Sequence, residues 1–206
     1  MLILKDNFFK DPYEVRRDGL HRHYNPSPGY TYPGYRSFSL LAGRPISLPP
    51  NLANYITDEV RYFSKNPSLK MQAGGFQYVT KDFITGIYHF DTEHTFSSII
   101  FLSLDPPDNS GTEVSSIPEF GFDFDDVWDR SMKVRTDFHK DPSNFINAYK
   151  YRRAVKSINS KSKEIIQIPN KFNRFMMFDS YLFHRAQDFF GTSIEDSRLT
   201  IVSFFG

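Results

Sequence analysis

From about residue 70 onward, turn residues cut the chain into short apolar runs. KMQAGGFQYVT, GIYHFD and SSIIFLSLD follow one another, and KEIIQIP, NRFMMFD, a short YLFHRA and the terminal RLTIVSFF come later. Runs of this length, rich in Phe, Tyr, Ile and Val and bounded by Gly, Pro, Asn or Asp, read as strands. Many short strands in one chain must bury one face of each, and an antiparallel sandwich or barrel does so. Aromatics make up 17% of the residues, with 22 Phe and 12 Tyr against one Trp. Phe and Tyr suit a pleated, half-buried surface, so the composition leans the same way.

Helices are predicted on either side of the first strand group. Asp11-Pro12 opens one in N-cap and N1 style, running through EVRRDGLHRHY. A second follows Pro49-Pro50 and places Leu52, Tyr55, Ile56, Val60 and Phe63 at helical spacing. Between them NPSPGYTYPGYR reads as a loop. After DPPDNSGTE, the stretches GFDFDDVWDRSM and PSNFINAYKYRRAVK carry a helical period, which predicts a helical insertion from about 119 to 160. In a barrel it would cover one end. Without repeats or linkers, residues 1–206 read as one domain. The insertion's acidic run (Asp123, Asp125, Asp126, Asp129) and basic run (Lys150, Arg152, Arg153, Lys156) read as solvated helix faces. The sharper reading is a lid that excludes water and selects substrate.

The overall charge excludes little but points away from some partners. With 25 basic and 24 acidic residues the formal charge is +1, which argues against nucleic acid or an anionic membrane as the main partner. The cluster Arg16, Arg17, His21, Arg22 and His23 reads as a solvated helix face. The chain has no cysteine, so disulfides, thiolate metal sites and cysteine nucleophiles are all excluded. Any metal must be held by nitrogen and oxygen. MLILKDNFF is too short for the apolar core of a signal peptide, and no window spans a bilayer, so a cytoplasmic location is expected.

The chemistry concentrates in YHFDTEH, residues 88–94. Residues i and i+2 of a strand share a face, so His89 and Asp91 point together and Phe90 away. One imidazole and one carboxylate supply two ligands of a facial triad. Among the other histidines, His21 and His23 lie on a predicted helix and His139 in the insertion. His184 follows a strand and is the natural third ligand. Two histidines and a carboxylate leave open positions on an octahedral metal, as in non-haem Fe(II) oxygenases. Zinc accepts the same ligands, so the triad alone leaves the metal open. In RLTIVSFF, Arg198 and Thr200 share a face, opposite Leu199, Ile201 and Ser203. A fork and a hydroxyl turned inward form a carboxylate clamp.

The ordered set His89-Phe90-Asp91, His184 and Arg198-Leu199-Thr200 resembles the motif series of the Fe(II)/2-oxoglutarate-dependent dioxygenases. GIYHFD is similar to the prolyl-hydroxylase-type entry to the HxD strand, NSGTE to the GGT turn, and NRFMMFDSYLFHRAQ to the segment delivering the distal histidine. The resemblance covers roughly residues 70 to 205. It departs in Ser-Gly-Thr for Gly-Gly-Thr and in the long insertion. It implies a mainly β fold with flanking helices, a double-stranded β-helix of jelly-roll or cupin type. It also implies Fe(II) on His89, Asp91 and His184, with 2-oxoglutarate and O2 as co-substrates. The distal carboxylate of 2-oxoglutarate would meet Arg198 with help from Thr200, and succinate and CO2 would be released. Halogenating relatives replace the carboxylate ligand with a small residue, so Asp91 points to hydroxylation of a small-molecule or peptide substrate. The rival readings are a cupin-like metalloenzyme without 2-oxoglutarate and a jelly-roll binding or structural protein.

Other residues are read two ways. Tyr78 contacts the 2-oxoglutarate carboxylate, as in prolyl-hydroxylase-like relatives, or is a core aromatic. Tyr88 has the parity for core packing. Glu93 and His94 orient a ligand, touch substrate at the mouth, or are plain turn residues. Asn173 and Arg174 meet co-substrate or substrate, or are solvated strand-end residues.

Overall fold

The computed structural model describes residues 1–26, 32–38, 43, 45–91, 93–116 and 124–206, with backbone alone at 116, 124–130 and 164. Asp123, Asp125, Asp126 and Asp129 of the predicted acidic run therefore lie outside the described side chains. Ten strands and four helices follow in the order β1 (Leu2–Lys5), α1 (Pro12–Leu20), β2 (Asn25–Pro26), β3 (Tyr35–Arg36), α2 (Pro50–Ser64), β4 (Met71–Val79), β5 (Phe96–Phe101), β6 (Thr112–Ser116), α3 (Phe124–Lys140), α4 (Phe145–Asn159), β7 (Lys163–Ile168), β8 (Phe175–Asp179), β9 (Phe183–Ala186) and β10 (Arg198–Phe205).

The named strands pair antiparallel in two sheets. The larger runs β1-β8-β5-β10-β4-β3-β2 and the smaller β7-β6-β9. Alternation along the large sheet sorts residues onto two faces. On its outer face Phe76, Ile100, Phe175, Met177, Leu199, Ile201 and Phe205 pack against Leu52, Ile56 and Val60 of α2. Each such aliphatic or aromatic side chain, fully buried, contributes about 1.5–3 kcal/mol. On the inner face Phe101, Met176 and Phe178 meet Val114 and Ile168 of the small sheet. The helices α3 and α4 cover the small sheet's outer side, where Phe138, Tyr151, Val155 and Ile158 pack on Tyr88 and Phe183. The molecule is thus helix, sheet, interior, sheet, helix.

Local chemistry explains where elements stop. The Asp11 carboxylate accepts from Glu14 N, starting α1 as predicted. The helix ends at Leu20, short of the expected Tyr24, because the His21 and Arg22 amides turn back to the Asp18 and Gly19 carbonyls. His21 and His23 therefore lie beyond the helix. Asn144 caps α4 by accepting from Ile146 N and Asn147 N.

GIYHFD departs from the predicted continuous strand. The segment touches the small sheet through isolated antiparallel bridges, Thr85 to Asp188 and His89 to His184. Its other edge is met by a side chain rather than a strand: Asn159 of α4 donates to Gly86 O and accepts from Tyr88 N. The Ile87 carbonyl is taken by the His89 imidazole. With those groups diverted, no ladder can extend. Among the described residues no helix is long and apolar enough to cross a membrane.

Candidate metal centre

The bridge between His89 and His184 builds the site. Each backbone amide donates to the other's carbonyl, at 2.9 and 3.0 Å, so the two residues face each other directly. Such a pair holds its side chains together on one face. Their rings lie 4.5 Å apart, with Phe178 against the His184 ring.

Each histidine is also oriented by its own chain. His89 Nδ1 lies 2.9 Å from Ile87 O and His184 Nδ1 lies 2.8 Å from Leu182 O. A carbonyl only accepts, so Nδ1 donates on both rings and Nε2 is the nitrogen left to face the site. Both Nε2 atoms face Asp91, at 3.8 Å from Oδ1 for His89 and 3.5 Å from Oδ2 for His184. One ligand atom from each of the three residues falls within 4.8 Å of the others.

Asp91 is fixed from behind. Its amide donates to Ser180 O, and Ser97 Oγ donates to Oδ2 at 2.7 Å, itself 2.9 Å from Ser180 Oγ. Burial pushes the His89 pKa down to about 3, with the neighbouring His184 and Arg135 acting in the same sense. The imidazole is neutral, as a ligand must be. Burial alone would raise the Asp91 carboxyl, but His184, His89, Ser97 and Arg36 together hold it below its ordinary value. Two imidazoles and one carboxylate converge.

The three line one cavity of about 390 Å³, and Arg198 lines it too. Arg198 is 4% exposed, and burial lowers its pKa to about 10. The turn Ser110-Gly111-Thr112 holds it: Nε donates to Ser110 O at 3.2 Å, and Nη2 donates to Thr112 Oγ1 at 3.2 Å and Gly111 O at 3.5 Å. Gly111 is needed there, since a Cβ would stand 2.0 Å from Ile168 O. These partners are neutral. Among the described residues no carboxylate pairs with Arg198. Thr200, expected beside it, donates to Gln77 O at 3.4 Å and does not line the cavity. Thr112 is the hydroxyl that stands with the guanidinium.

Several other expectations are corrected. Tyr78 faces away from the cavity, because Gln77 and Val79 hold the inward positions of β4. It stacks on Tyr35 at 4.9 Å and meets Tyr24 edge-on, so the core reading stands. Asn173 is buried, not solvated. Its side chain accepts from Phe9 N and donates to Phe9 O, pinning the N-terminal segment away from the cavity. Arg174 forks onto Asp6 at 2.6 and 3.0 Å. Glu93 and His94 do line the cavity. Glu93 is exposed at the mouth, whereas His94 lies 2.6 Å from Gln72 Oε1 and against the Phe204 ring. Tyr88 is a core residue, fully buried, and its hydroxyl donates to Glu113.

Polar lining residues that escaped the sequence reading include Ser97, Thr112, Arg36 and Arg135. Ser97 had a signal, since it points inward from β5 by the same parity as Ile99. Arg36 and Arg135 had none, because they arrive on β3 and α3 by tertiary docking.

Solved structures share this architecture. The chain is similar over 100% of its length to HygX from Streptomyces hygroscopicus with nickel and 2-oxoglutarate bound, covering 82% of it at 12% identity and a TM-score of 0.61. The non-heme alpha-ketoglutarate-dependent epimerase SnoN from nogalamycin biosynthesis matches over 100% of this chain and 77% of its own, at 10% identity and 0.59. A 2OG-Fe(II) oxygenase family oxidoreductase from Burkholderia pseudomallei matches over 100% and 84%, at 14% identity and 0.56. No protein-family model matches the sequence, and no curated protein matches it. At such identities the likeness speaks for the fold, the double-stranded β-helix that the sequence resemblance implied.

Proposed function

We propose that this protein is an Fe(II)- and 2-oxoglutarate-dependent dioxygenase that hydroxylates a small-molecule or peptide substrate. The observation that carries the reading is the triad itself: two imidazoles with Nδ1 tied to carbonyls and Nε2 turned to one carboxylate. A structural histidine pair has no need to present both lone pairs to the same point.

His89, Asp91 and His184 would hold the metal, and Ser97 would keep Asp91 in its ligating rotamer. Arg198 and Thr112 would receive the distal carboxylate of 2-oxoglutarate, since a buried guanidinium with only neutral partners suits an anion. When bound, Fe(II) and 2-oxoglutarate supply O2 activation and oxidation of a C–H bond, with release of succinate and CO2. Asp91 favours hydroxylation, because a carboxylate occupies the place that halide would need. HygX crystallised with 2-oxoglutarate and hygromycin B together supports a pocket of this fold that admits both co-substrate and a small molecule. SnoN, an epimerase, is a reminder that one fold serves several outcomes. Residues 1–206 are read as one domain, with α3 and α4 as the insertion.

The test is anaerobic addition of Fe(II) and 2-oxoglutarate, followed by O2. A visible charge-transfer band and then succinate are expected from the wild type and not from His184→Ala. No band, and equal succinate from both proteins, would overturn the proposal.

A further inference from the structure

The triad and Arg198 do not exhaust the charge in the cavity. Arg36 and Arg135 line it as well, from β3 and α3. Arg135 is 9% exposed, and its Nη1 lies 3.6 Å from Met132 Sδ, a weak and neutral acceptor. Arg36 is flanked by aromatic faces, with its guanidinium carbon 3.6 Å from the Tyr32 ring centre, 5.2 Å from Phe38 and 5.7 Å from Phe204. Its Nε is buried with no hydrogen-bond partner. Aromatic faces hold a cation in place without neutralising it.

Two carboxylates line the cavity among the described residues, Asp91 and Glu93. Asp91 is engaged by Ser97 and the two histidines, and Glu93 stands exposed at the mouth. Neither forms an ion pair with an arginine. One co-substrate carboxylate would satisfy Arg198 and leave the other two guanidiniums sharing the field of Asp91, a carboxylate already committed to the histidines and Ser97. Charges withdrawn from water are ordinarily paired, so two cations lining one cavity with no ion pair among the described residues point to an anion that arrives with a ligand.

We propose that Arg36 and Arg135 form a second anion subsite beside the metal centre, and that the oxidised substrate is a small molecule carrying a carboxylate or phosphate. The inference rests on the proposed function of the same site and names its substrate class. It also narrows that proposal, because a neutral substrate would leave both cations without an ion pair among the described residues. The anion would bridge β3 and α3 and so place a neighbouring C–H bond over the triad. Arg36 and Arg135 are positioning residues for that bond.

The test uses full-length protein loaded with Mn(II) and 2-oxoglutarate without O2, titrated calorimetrically with sulfate, which stands in for phosphate, and in parallel with acetate. Saturable uptake of at least one anion is expected, and the arm that binds tells phosphate from carboxylate. Arg36→Met and Arg135→Met should each weaken it by about tenfold or more, while 2-oxoglutarate affinity stays unchanged. Arg198→Met should do the reverse. The unliganded Met variants should melt no lower than wild type, since each removes an unpaired buried charge. Four results would overturn the inference: no anion uptake by the wild type, anion uptake indifferent to both variants, losses of 2-oxoglutarate affinity matching those of Arg198→Met, or Met variants that melt lower and are restored by Lys without anion binding. If metal and 2-oxoglutarate bind but no anion does, the subsite falls and the oxygenase reading stands. If the anion binds through Arg36 and Arg135 while metal and 2-oxoglutarate do not, the subsite stands and the oxygenase reading falls.

Discussion

Charge is withdrawn from water on both sides of the small sheet, and the two sides treat it differently. On the outer face Glu113 is 4% exposed, and its carboxylate accepts from Tyr88 Oη, Arg185 Nε, Gln187 Nε2 and Gln167 Nε2 at 2.6 to 3.3 Å. Burial raises that carboxyl, yet Arg185 and the hydroxyl and amide donors hold it below its ordinary value. In the cavity that the sheet's inner face looks onto, Arg36, Arg135 and Arg198 form no ion pair among the described residues, and their close neighbours are aromatic, thioether, carbonyl and hydroxyl groups. One network is complete without a ligand and ties β6, β7, β9 and the His89 segment together. The other, on the proposed reading, is completed when anions enter. Satisfied charge marks what holds the fold, and unsatisfied charge marks what it is for.

Breaking the satisfied network should have the largest effect on stability. Arg185→Met leaves the Glu113 carboxylate buried with its cation gone, and is expected to cost about 3 kcal/mol of unfolding free energy, read from the urea midpoint. Its loss should also loosen the backbone bridge that presents His184. Arg198→Met removes a group waiting for an anion, so the urea midpoint should hold. Its 2-oxoglutarate affinity should fall by about 2 kcal/mol, roughly thirtyfold, with metal affinity unchanged. If Arg198→Met unfolds the protein as readily as Arg185→Met does, the contrast between the faces fails.

Ser97→Ala sharpens the contrast from within the site. It frees the Asp91 carboxylate to rotate, and metal affinity should drop by about tenfold while the fold and the arginines stay intact. The smallest effect belongs to a satisfied network in solvent. Arg174, then Lys171, holds the Asp6 carboxyl down at about 2, below its ordinary 3.8, with the Asp6 side chain 34% exposed. Because the folded value is the lower one, the stability from this pair is present above about pH 3.8 and lost as pH falls toward 2. Asp6→Asn should flatten the acid limb of the stability curve and cost less than about 1 kcal/mol near neutrality.

The legible part of the site was the part written in strand parity. Alternation paired His89 with Asp91 and Arg198 with Thr200, while motif order singled out His184. The His89–His184 bridge and the strand pairings bring the triad and Arg198 to one cavity. The same rule went astray at Tyr78, because the sequence of β4 does not say which of its faces looks inward. Pairing Arg198 with Val79 and Thr200 with Gln77 decides it. Thr200 had the right face but spends its hydroxyl on a neighbouring carbonyl, and Thr112 takes its place from a turn far along the chain. Arg36 and Arg135 were out of reach, since nothing local brings a two-residue strand and a helix face to one cavity. Asn173 failed for another reason. Its backbone sits at φ 62° and its side chain serves the N-terminal segment, a contact across most of the chain's length.

The most direct measurement is an anaerobic crystal structure with Mn(II) and 2-oxoglutarate. The account predicts the metal on His89 Nε2, His184 Nε2 and the Asp91 carboxylate, with the distal carboxylate of 2-oxoglutarate on Arg198 and Thr112. Arg36 and Arg135 should remain free to meet a further anion. A metal bound elsewhere, or 2-oxoglutarate seated on Arg36 and Arg135 with Arg198 still bare, would contradict it.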